Sequence, residues 1–376
     1  MKKIYKAVTF KGLENILFEE LKTMGAENLK LMPKTVSFKG NKELLYKANL
    51  SIRTALKIIM PIKRIKLNNP EEIYKIAFNI AWENYFTLNN TFSVSTVGYS
   101  SFYKNLNYAS LKVKDAIADR FRKKYNKRPS VNPKNPDIGI HVYIKENLLE
   151  ISLDSGGKSL HRRGYRLQGH KAPLNEILAA SLINISNWNE NTPLYDFMCG
   201  SGTILFEAYL KANKIPPNIK RKKFSFMNWK DYSPELFKKT KNELKNKITI
   251  NRNLKLFAND INKNHINLFK KELEHYQIKD FENTFEFSAK DYKEIKSKTN
   301  YGTIIINPPY GERLQENENF YHNLGIHLKN NFKGHSFWIL TPNIGGLKKI
   351  KMKPSKKYTL YNGGLEVRFQ NYEIRI

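Results

Sequence analysis

Cysteine is almost absent from this chain. The single Cys199 in 376 residues leaves no disulfide framework and no cysteine-built zinc cluster. Eight histidines are scattered without metal-ligand spacing, so no metal is expected. No stretch approaches the roughly 18 uninterrupted apolar residues of a membrane-spanning helix, and no membrane association is expected. Met1-Lys2-Lys3-Ile4-Tyr5 has no extended apolar core, so a signal peptide is not expected either. These absences point to a soluble protein of a reducing compartment, the cytoplasm. Acid is scarce as well: 34 Asp and Glu stand against 65 Lys and Arg, a formal net charge of +31. The imbalance favours a polyanionic partner, although Lys, Asn and Ile are abundant throughout and composition accounts for part of it. The length suits two or three domains, and there are no internal repeats.

What is present is concentrated at the ends of apolar runs. Thr303-Ile304-Ile305-Ile306 reads as a buried strand and is followed directly by Asn307-Pro308-Pro309-Tyr310. Each proline fixes its own φ and biases the preceding residue toward extended backbone, so an exposed, rigid elbow forms. The Asn307 side-chain oxygen and the Pro308 carbonyl are then available to accept both hydrogens of an amino group, and Tyr310 to stack on a planar ring. An exocyclic base amine is a poor nucleophile because its lone pair is delocalised into the ring. Two acceptors draw it toward a pyramidal geometry and aim the lone pair at an electrophile.

About a hundred residues upstream, a short apolar strand ends at Asp196. A Gly200-Ser201-Gly202 turn follows, and an amphipathic helix begins near Thr203. This is the strand, glycine loop and helix of a doubly wound α/β domain, whose ligands sit at the strands' carboxyl ends. The loop lacks the Lys-Ser/Thr of a triphosphate-binding loop and the full Gly-x-Gly-x-x-Gly of dinucleotide binders. Cys199 lies inside it without an accompanying His motif and reads as a small residue lining a ligand pocket. Lys255–Asp260 reads as a second strand whose acid is placed for the hydroxyls of a ribose. Phe285–Asp291 reads as a third, its acid placed for an adenine amino group; singly, Asp260 and Asp291 would pass for helix N-caps. The implied ligand carries adenosine, lacks a phosphate tail and delivers a group to an amine, which S-adenosylmethionine fits.

Three zones organise the chain: 1–60, a small α+β unit; 61–155, with a helix near Asp115–Lys124 and strands at His141–Ile144 and Leu149–Leu153; and 156–376. The last opens with the basic connector Ser159–Arg166. It adds a fifth strand, Ser336–Thr341, and a closing pair, Lys357–Tyr361 and Arg368–Ile374, around the Asn362-Gly363-Gly364 turn. Seven strands result, the count of the common methyltransferase sheet.

Lys112–Arg122, Asp137 and Leu153-Asp154-Ser155-Gly156 resemble the THUMP signature. Arg163-Gly164-Tyr165-Arg166 with Ala172-Pro173-Leu174-Asn175-Glu176 resembles the lead-in to a catalytic domain. Asp196 to Thr203 and Asn307 to Leu314 resemble cofactor and catalytic motifs. Over essentially its whole length the chain thus resembles the bacterial RNA methyltransferases with a THUMP domain. It is similar above all to single-methyltransferase proteins related to the amino-terminal half of the 23S rRNA guanine-N2 methyltransferase. Phe197, where the family usually has Pro, departs from the pattern. The resemblance implies a Rossmann-like seven-stranded α/β domain preceded by an α+β ferredoxin-like unit and THUMP. It implies S-adenosylmethionine held by Pro173, Asp196, Met198, Cys199, Gly200, Ser201, Gly202, Thr203, Asp260 and Asp291, and catalysis by Asn307, Pro308, Pro309 and Tyr310. Structured RNA, ribosomal by resemblance, would be gripped through Arg122, Lys123, Lys124, Lys127, Arg128, Arg162 and Arg163, with Tyr99, Phe102 and Tyr103 either stacking on bases or sitting in the core. The target base would be flipped into the pocket. The alternatives are guanine N2 in tRNA, adenine N6, or an idle RNA-binding protein; the motif reads an amine and not a particular base.

Overall fold

The computed structural model describes residues 2–167, 173–309 and 319–376, and the chain divides into two units. One gathers Met1–Thr9, Leu17–Leu160 and Lys220–Glu243; the other gathers Phe10–Ile16, His161–Ile219 and Leu244–Ile376.

The first unit is built on one seven-stranded sheet. Its strands are β1 (Lys3–Val8), β2 (Glu27–Met32), β3 (Thr35–Gly40), β4 (Lys57–Lys66), β5 (Phe92–Tyr99), β6 (Ile138–Lys145) and β7 (Leu148–Asp154). They lie in the order β2-β3-β1-β4-β7-β6-β5. Only the β5–β6 pair is parallel among these neighbours. The zone boundary expected at residue 60 falls inside β4, which pairs with β1 over residues 57–59 and with β7 over residues 59–66. Pro61, which has no N–H to give a ladder, sits where the β4–β7 register shifts. The helix expected near Asp115–Lys124 runs from Leu106 to Tyr125, opened by the Asn105 side chain accepting from the Asn107 N–H and closed by Asn126 at φ +57°.

The acids of the THUMP-like signature serve as structural ties. Asp137 Oδ2 accepts from the Thr91 N–H and hydroxyl at 2.9 and 3.0 Å. Asp154 Oδ1 accepts from the Gly156 and Gly157 N–H groups at 2.9 and 3.1 Å. Residues 220–243, inside the zone assigned from sequence to the third part, belong to the first unit. Phe226 stacks on Tyr46 at 4.7 Å between centroids, Phe237 meets Tyr46 edge-on at 5.6 Å, and the Ser225 hydroxyl donates to the Asp137 carbonyl at 2.7 Å.

The second unit holds β8 (Leu194–Asp196), β9 (Leu256–Asn259), β10 (Phe285–Ser288), β11 (Gly302–Ile306), β12 (His335–Thr341), β13 (Lys356–Asn362) and β14 (Leu365–Glu373). The order is β10-β9-β8-β11-β12-β14-β13, with β8 to β12 parallel and β14 antiparallel to both its neighbours. This is the expected sheet: five parallel strands and a closing hairpin, the hairpin inserted so that β14 lies inside β13. Buried on both faces, the central strands read as near-continuous apolar runs. Ile304, Ile306, Phe337 and Ile339 pack with Leu324 and Leu328 of the helix Phe320–Asn331 in one core cluster. No described helix is long and apolar enough to cross a membrane.

Candidate active site

Sheet order reverses between β8 and β11, whose connections leave in opposite directions, and such a switch point opens a crevice at the carboxyl ends. Thr303 pairs with Leu194 and Ile304 with Tyr195, so Asp196 and Asn307 emerge from neighbouring strand ends. Asn307 is half-buried, Pro308 buried and Pro309 exposed; Tyr310 lies outside the described residues.

The loop after β8 is held by its neighbours on β9. The Cys199 N–H donates to the Asn259 carbonyl at 2.9 Å and the Gly200 N–H to Asp260 Oδ2 at 2.9 Å. The Met198 N–H turns back to Asp196 Oδ1 at 3.1 Å. Gly202, at φ +73°, caps the helix Thr203–Ala212, and a Cβ there would fall 2.3 Å from the Phe269 ring. The loop therefore requires glycine for both its backbone and its closeness to Phe269. Ser201 is buried with its hydroxyl unpartnered. Phe197, the departure from the family pattern, is buried against Phe332 at 4.9 Å between centroids and serves the core.

Asp260 is largely committed to protein donors. Oδ1 accepts from the Asn262 N–H at 2.9 Å and lies 3.1 Å from His265 Nδ1, while Oδ2 holds the Gly200 N–H. A carboxylate has about four acceptor positions, so one remains for a ligand hydroxyl. Asp291 caps the short 3-10 turn Tyr292–Glu294, accepting from the Lys293 N–H at 3.0 Å in a reciprocal capping box with Glu294. Burial, with Asp260 nearby, pushes the Asp196 carboxyl well above the usual carboxylate range. Burial, then Asp196 and Asp260, raise the Cys199 thiol likewise, which suppresses the thiolate and suits a pocket-lining residue rather than a nucleophile.

Asn259 is the residue that sequence reasoning passed over. Its amide donates to the Phe197 carbonyl at 3.0 Å and to the Lys290 carbonyl at 3.0 Å. Its oxygen accepts from the Ser288 hydroxyl at 2.7 Å and the Lys290 N–H at 3.2 Å. One buried side chain thus ties the ends of β8, β9 and β10, and all its hydrogen-bonding capacity is spent doing so. The signal available was a polar residue ending an apolar strand immediately before the acid.

The lead-in segment contributes Arg166, which donates to Glu176 Oε1 at 2.5 Å, the Leu174 carbonyl at 2.6 Å and the Thr203 hydroxyl at 3.0 Å. Pro173 is half-buried beside this network; Ala172 lies outside the described residues, as does the segment from Gly311 to Leu314.

The RMKL-like methyltransferase domain profile matches residues 163–371, more than half of the chain. The chain belongs to this family. The THUMP domain profile matches residues 68–154 and the RlmL ferredoxin-like profile residues 5–59. The chain is 35% identical over 370 residues to the ribosomal RNA large subunit methyltransferase K/L of Buchnera aphidicola, covering 96% of this chain and 53% of that protein. It is 33% identical over 373 residues to a putative RNA methyltransferase of Synechocystis, covering 98% and 96%. A solved putative methyltransferase complexed with SAH superposes with a TM-score of 0.89 at 26% identity, covering 100% of this chain and 99% of that one. The chain spans about half the length of the curated K/L relatives it matches.

In this RMKL-like chain the cations expected to meet RNA fall into two groups. Arg122, Lys123, Lys124, Lys127 and Arg128 are exposed at and beyond the end of the helix Leu106–Tyr125. Three already have partners: Arg122 with Asp119 at 2.5 Å, Lys123 over the Phe78 ring at 5.7 Å, and Lys124 with Glu83 at 2.8 Å. Glu83 is also gripped by Arg120 at 2.7 and 2.8 Å, and hydrogen bonding from Arg120 holds its carboxyl down at about 2. Arg162 is exposed. Arg163, expected among the RNA contacts, is a correction: its side chain is fully buried and pairs with the equally buried Glu207 at 3.4 Å. A buried guanidinium needs a carboxylate beside it, and this one serves the interior of the RMKL-like domain. Tyr103 is core, its hydroxyl on the Pro70 carbonyl at 2.5 Å; Phe102 is half-buried, and Tyr99 is 54% exposed.

Proposed function

We propose that this chain transfers a methyl group from S-adenosylmethionine to the exocyclic N2 amine of a guanine in RNA, the 23S ribosomal RNA by analogy with its K/L relatives. The observation that carries the reading is the emergence of Asn307-Pro308-Pro309 beside the loop that follows Asp196, at the switch point of the sheet. Membership of a methyltransferase family, and a similar structure complexed with SAH, support the cofactor.

The residues fit that cofactor. Asp260 retains an acceptor position for a ribose hydroxyl, the Ser201 hydroxyl lacks a partner, and Asp291 stands half-buried at the end of β10. S-adenosylmethionine would supply an electrophilic methyl carbon and keep the electron pair of the cleaved carbon–sulfur bond. Asn307 and the Pro308 carbonyl would accept the two amine hydrogens, and Tyr310 would stack on the base. Nitrogen's lone pair would form the new bond to carbon, and the surplus proton would leave the amine through one of its acceptors to water. Asp196, Asn259 and Gly202 would keep the loop in place while this happens. RNA would be gripped by the first unit through Arg122, Lys123, Lys124, Lys127 and Arg128, and Arg162 of the second unit would be a further contact. Acting on such a substrate, the chain would work in the cytoplasm.

The test is a reaction of the purified chain with ribosomal RNA and labelled cofactor, digested and resolved as nucleosides. N2-methylguanosine is expected. Label in N6-methyladenosine would move the target to adenine, and label confined to tRNA would move the substrate. Label only in DNA would overturn the RNA reading. Bound cofactor with no transfer to any nucleic acid would leave an idle RNA-binding protein.

A further inference from the structure

One end of the first unit's sheet carries an uncovered face of rings and cations. Its residues come from four strands through the register. Val97 on β5 pairs with Tyr143 on β6, Tyr143 with Glu150 on β7, and Glu150 with Arg64 on β4. In the next row Tyr99 pairs with Lys145, Lys145 with Leu148, and Leu148 with Lys66. Residues opposite one another in register share a side of a sheet.

The other side is the packed one. Phe92, Ile138, Ile140, Val142 and Ile144 are buried there, and the Thr96 hydroxyl meets the Ser110 hydroxyl of the helix Leu106–Tyr125 at 2.7 Å. On the open side Tyr99 is 54%, Val97 45% and Tyr143 36% exposed. Lys66 and Lys145 are exposed, and the Arg64 side chain is 59% accessible. Glu150, the carboxylate within these rows, is buried and neutralised by Lys6 at 2.5 Å, with Arg64 at 4.0 Å. The face is therefore cationic and aromatic with no free acid in its rows.

We propose that this face holds a single-stranded stretch of RNA, bases stacking on Tyr99 and Tyr143 and phosphates met by Arg64, Lys66 and Lys145. The proposal rests on the reading that RNA is the substrate, and it adds a surface separate from the cations of residues 122–128. Exposed rings gain from bases only when those bases are unstacked, so a duplex, which hides its base faces, would use the cations alone. A chain of net charge +31 and a patch this rich in cations favour a polyanion over an apolar protein partner. Tyr99 and Tyr143 are diagonal neighbours on adjacent strands, about 7–8 Å apart, a gap that two splayed bases of a single strand can bridge.

The test uses the full chain and fluorescence anisotropy with an oligouridine of about 12 nucleotides, within the usual single-strand site size, beside a duplex RNA of equal length. The paired variant Tyr99→Ala/Tyr143→Ala should weaken oligouridine binding about 10-fold or more and duplex binding less than about 2-fold. Tyr99→Phe/Tyr143→Phe should keep near-normal affinity, since stacking needs the ring and not the hydroxyl. Arg64→Gln/Lys66→Gln/Lys145→Gln should make the slope of log affinity against log salt shallower by about 2 for the single strand. All these positions are exposed, and thermal melts check that the variants fold. Unchanged oligouridine affinity in both the alanine and glutamine variants overturns the proposal, as does equal loss of single strand and duplex in the alanine variant. Wild-type chain that binds neither RNA also overturns it and points to a protein occupant. Wild-type chain that shows the expected pattern yet transfers no methyl group defeats the proposed function and leaves this surface standing; normal transfer with the pattern absent does the reverse.

Discussion

The Gly200 N–H donates to Oδ2 of Asp260 at 2.9 Å, so the acid at the end of one strand holds the glycine loop at the end of the next. The same carboxylate grips Asn262 and His265 through its other oxygen. Asp260 thus shapes the loop, and in the proposed function it also meets the cofactor, so losing it would act on both.

Asp260→Ala should weaken S-adenosylmethionine binding on the order of 10-fold or more, because charge-assisted hydrogen bonds contribute about 1.5–3 kcal/mol each. Isothermal calorimetry measures this. Unchanged affinity would remove Asp260 from the site.

Asn259→Asp turns two donors into acceptors that face the Phe197 and Lys290 carbonyls, each 3.0 Å from the present amide nitrogen. A buried, unpaired and charged oxygen there should lower folding stability by about 3 kcal/mol. Cofactor affinity should fall with it, since the loop loses its anchor. Urea unfolding within about 0.5 kcal/mol of wild type would show that the strand ends do not depend on this side chain.

Asn307→Ala should abolish methyl transfer, on the order of 100-fold or more, while cofactor affinity stays near normal. Asn307 is assigned to the amine and not to the cofactor. Near-normal turnover at saturating RNA would contradict the assignment.

Glu272→Gln tests a pH dependence. Glu272 is buried, its Oε1 accepts from the Leu167 N–H at 3.1 Å, and its Oε2 has no partner. Burial lifts its carboxyl to about 7 from the ordinary 4.5. The folded state then holds the proton more tightly than the unfolded chain. Its stability contribution is complete below pH 4.5 and is lost as pH rises through 7, at most about 3 kcal/mol in all. Glutamine cannot ionise, so the variant should be stabilised relative to wild type at pH 8 compared with pH 5. Parallel stability curves for the two proteins across that range would exclude the effect.

The second unit was readable from sequence because three of its strands, β8, β9 and β11, are largely buried runs that end in groups chemistry marks: Asp196, Asp260 and Asn307. The first unit was less so. β2 is an edge strand, mostly exposed and irregular at Asn28, where φ is +49°, so its alternation is blurred. β4 carries Pro61 and four cations, which argue against a central strand when only the sequence is visible. The helix ending at Tyr125 was seen only in its charged last turns. Residues 220–243 join the first unit through contacts of Phe226 and Phe237 with Tyr46, and separation in sequence hides such partners. Arg163 illustrates the same limit in the other direction. A cation in a basic connector looks like a surface contact until Glu207, more than forty residues away, is found beside it in the interior.

β4 belongs to two halves at once. Lys57, Ile58 and Ile59 pair with β1 and seven residues from Ile59 to Lys66 with β7, so Ile59 stands in both ladders and the two halves share one strand. Hydrogen exchange along β4 should therefore report one cooperative opening for both. For a strand of RNA on the face proposed above, the consequence is metrical. β5, β6, β7 and β4 make three spacings of about 4.8 Å, roughly 14 Å from Tyr99 to Lys66, so the rings and the cations keep their separation only while β4 stays paired.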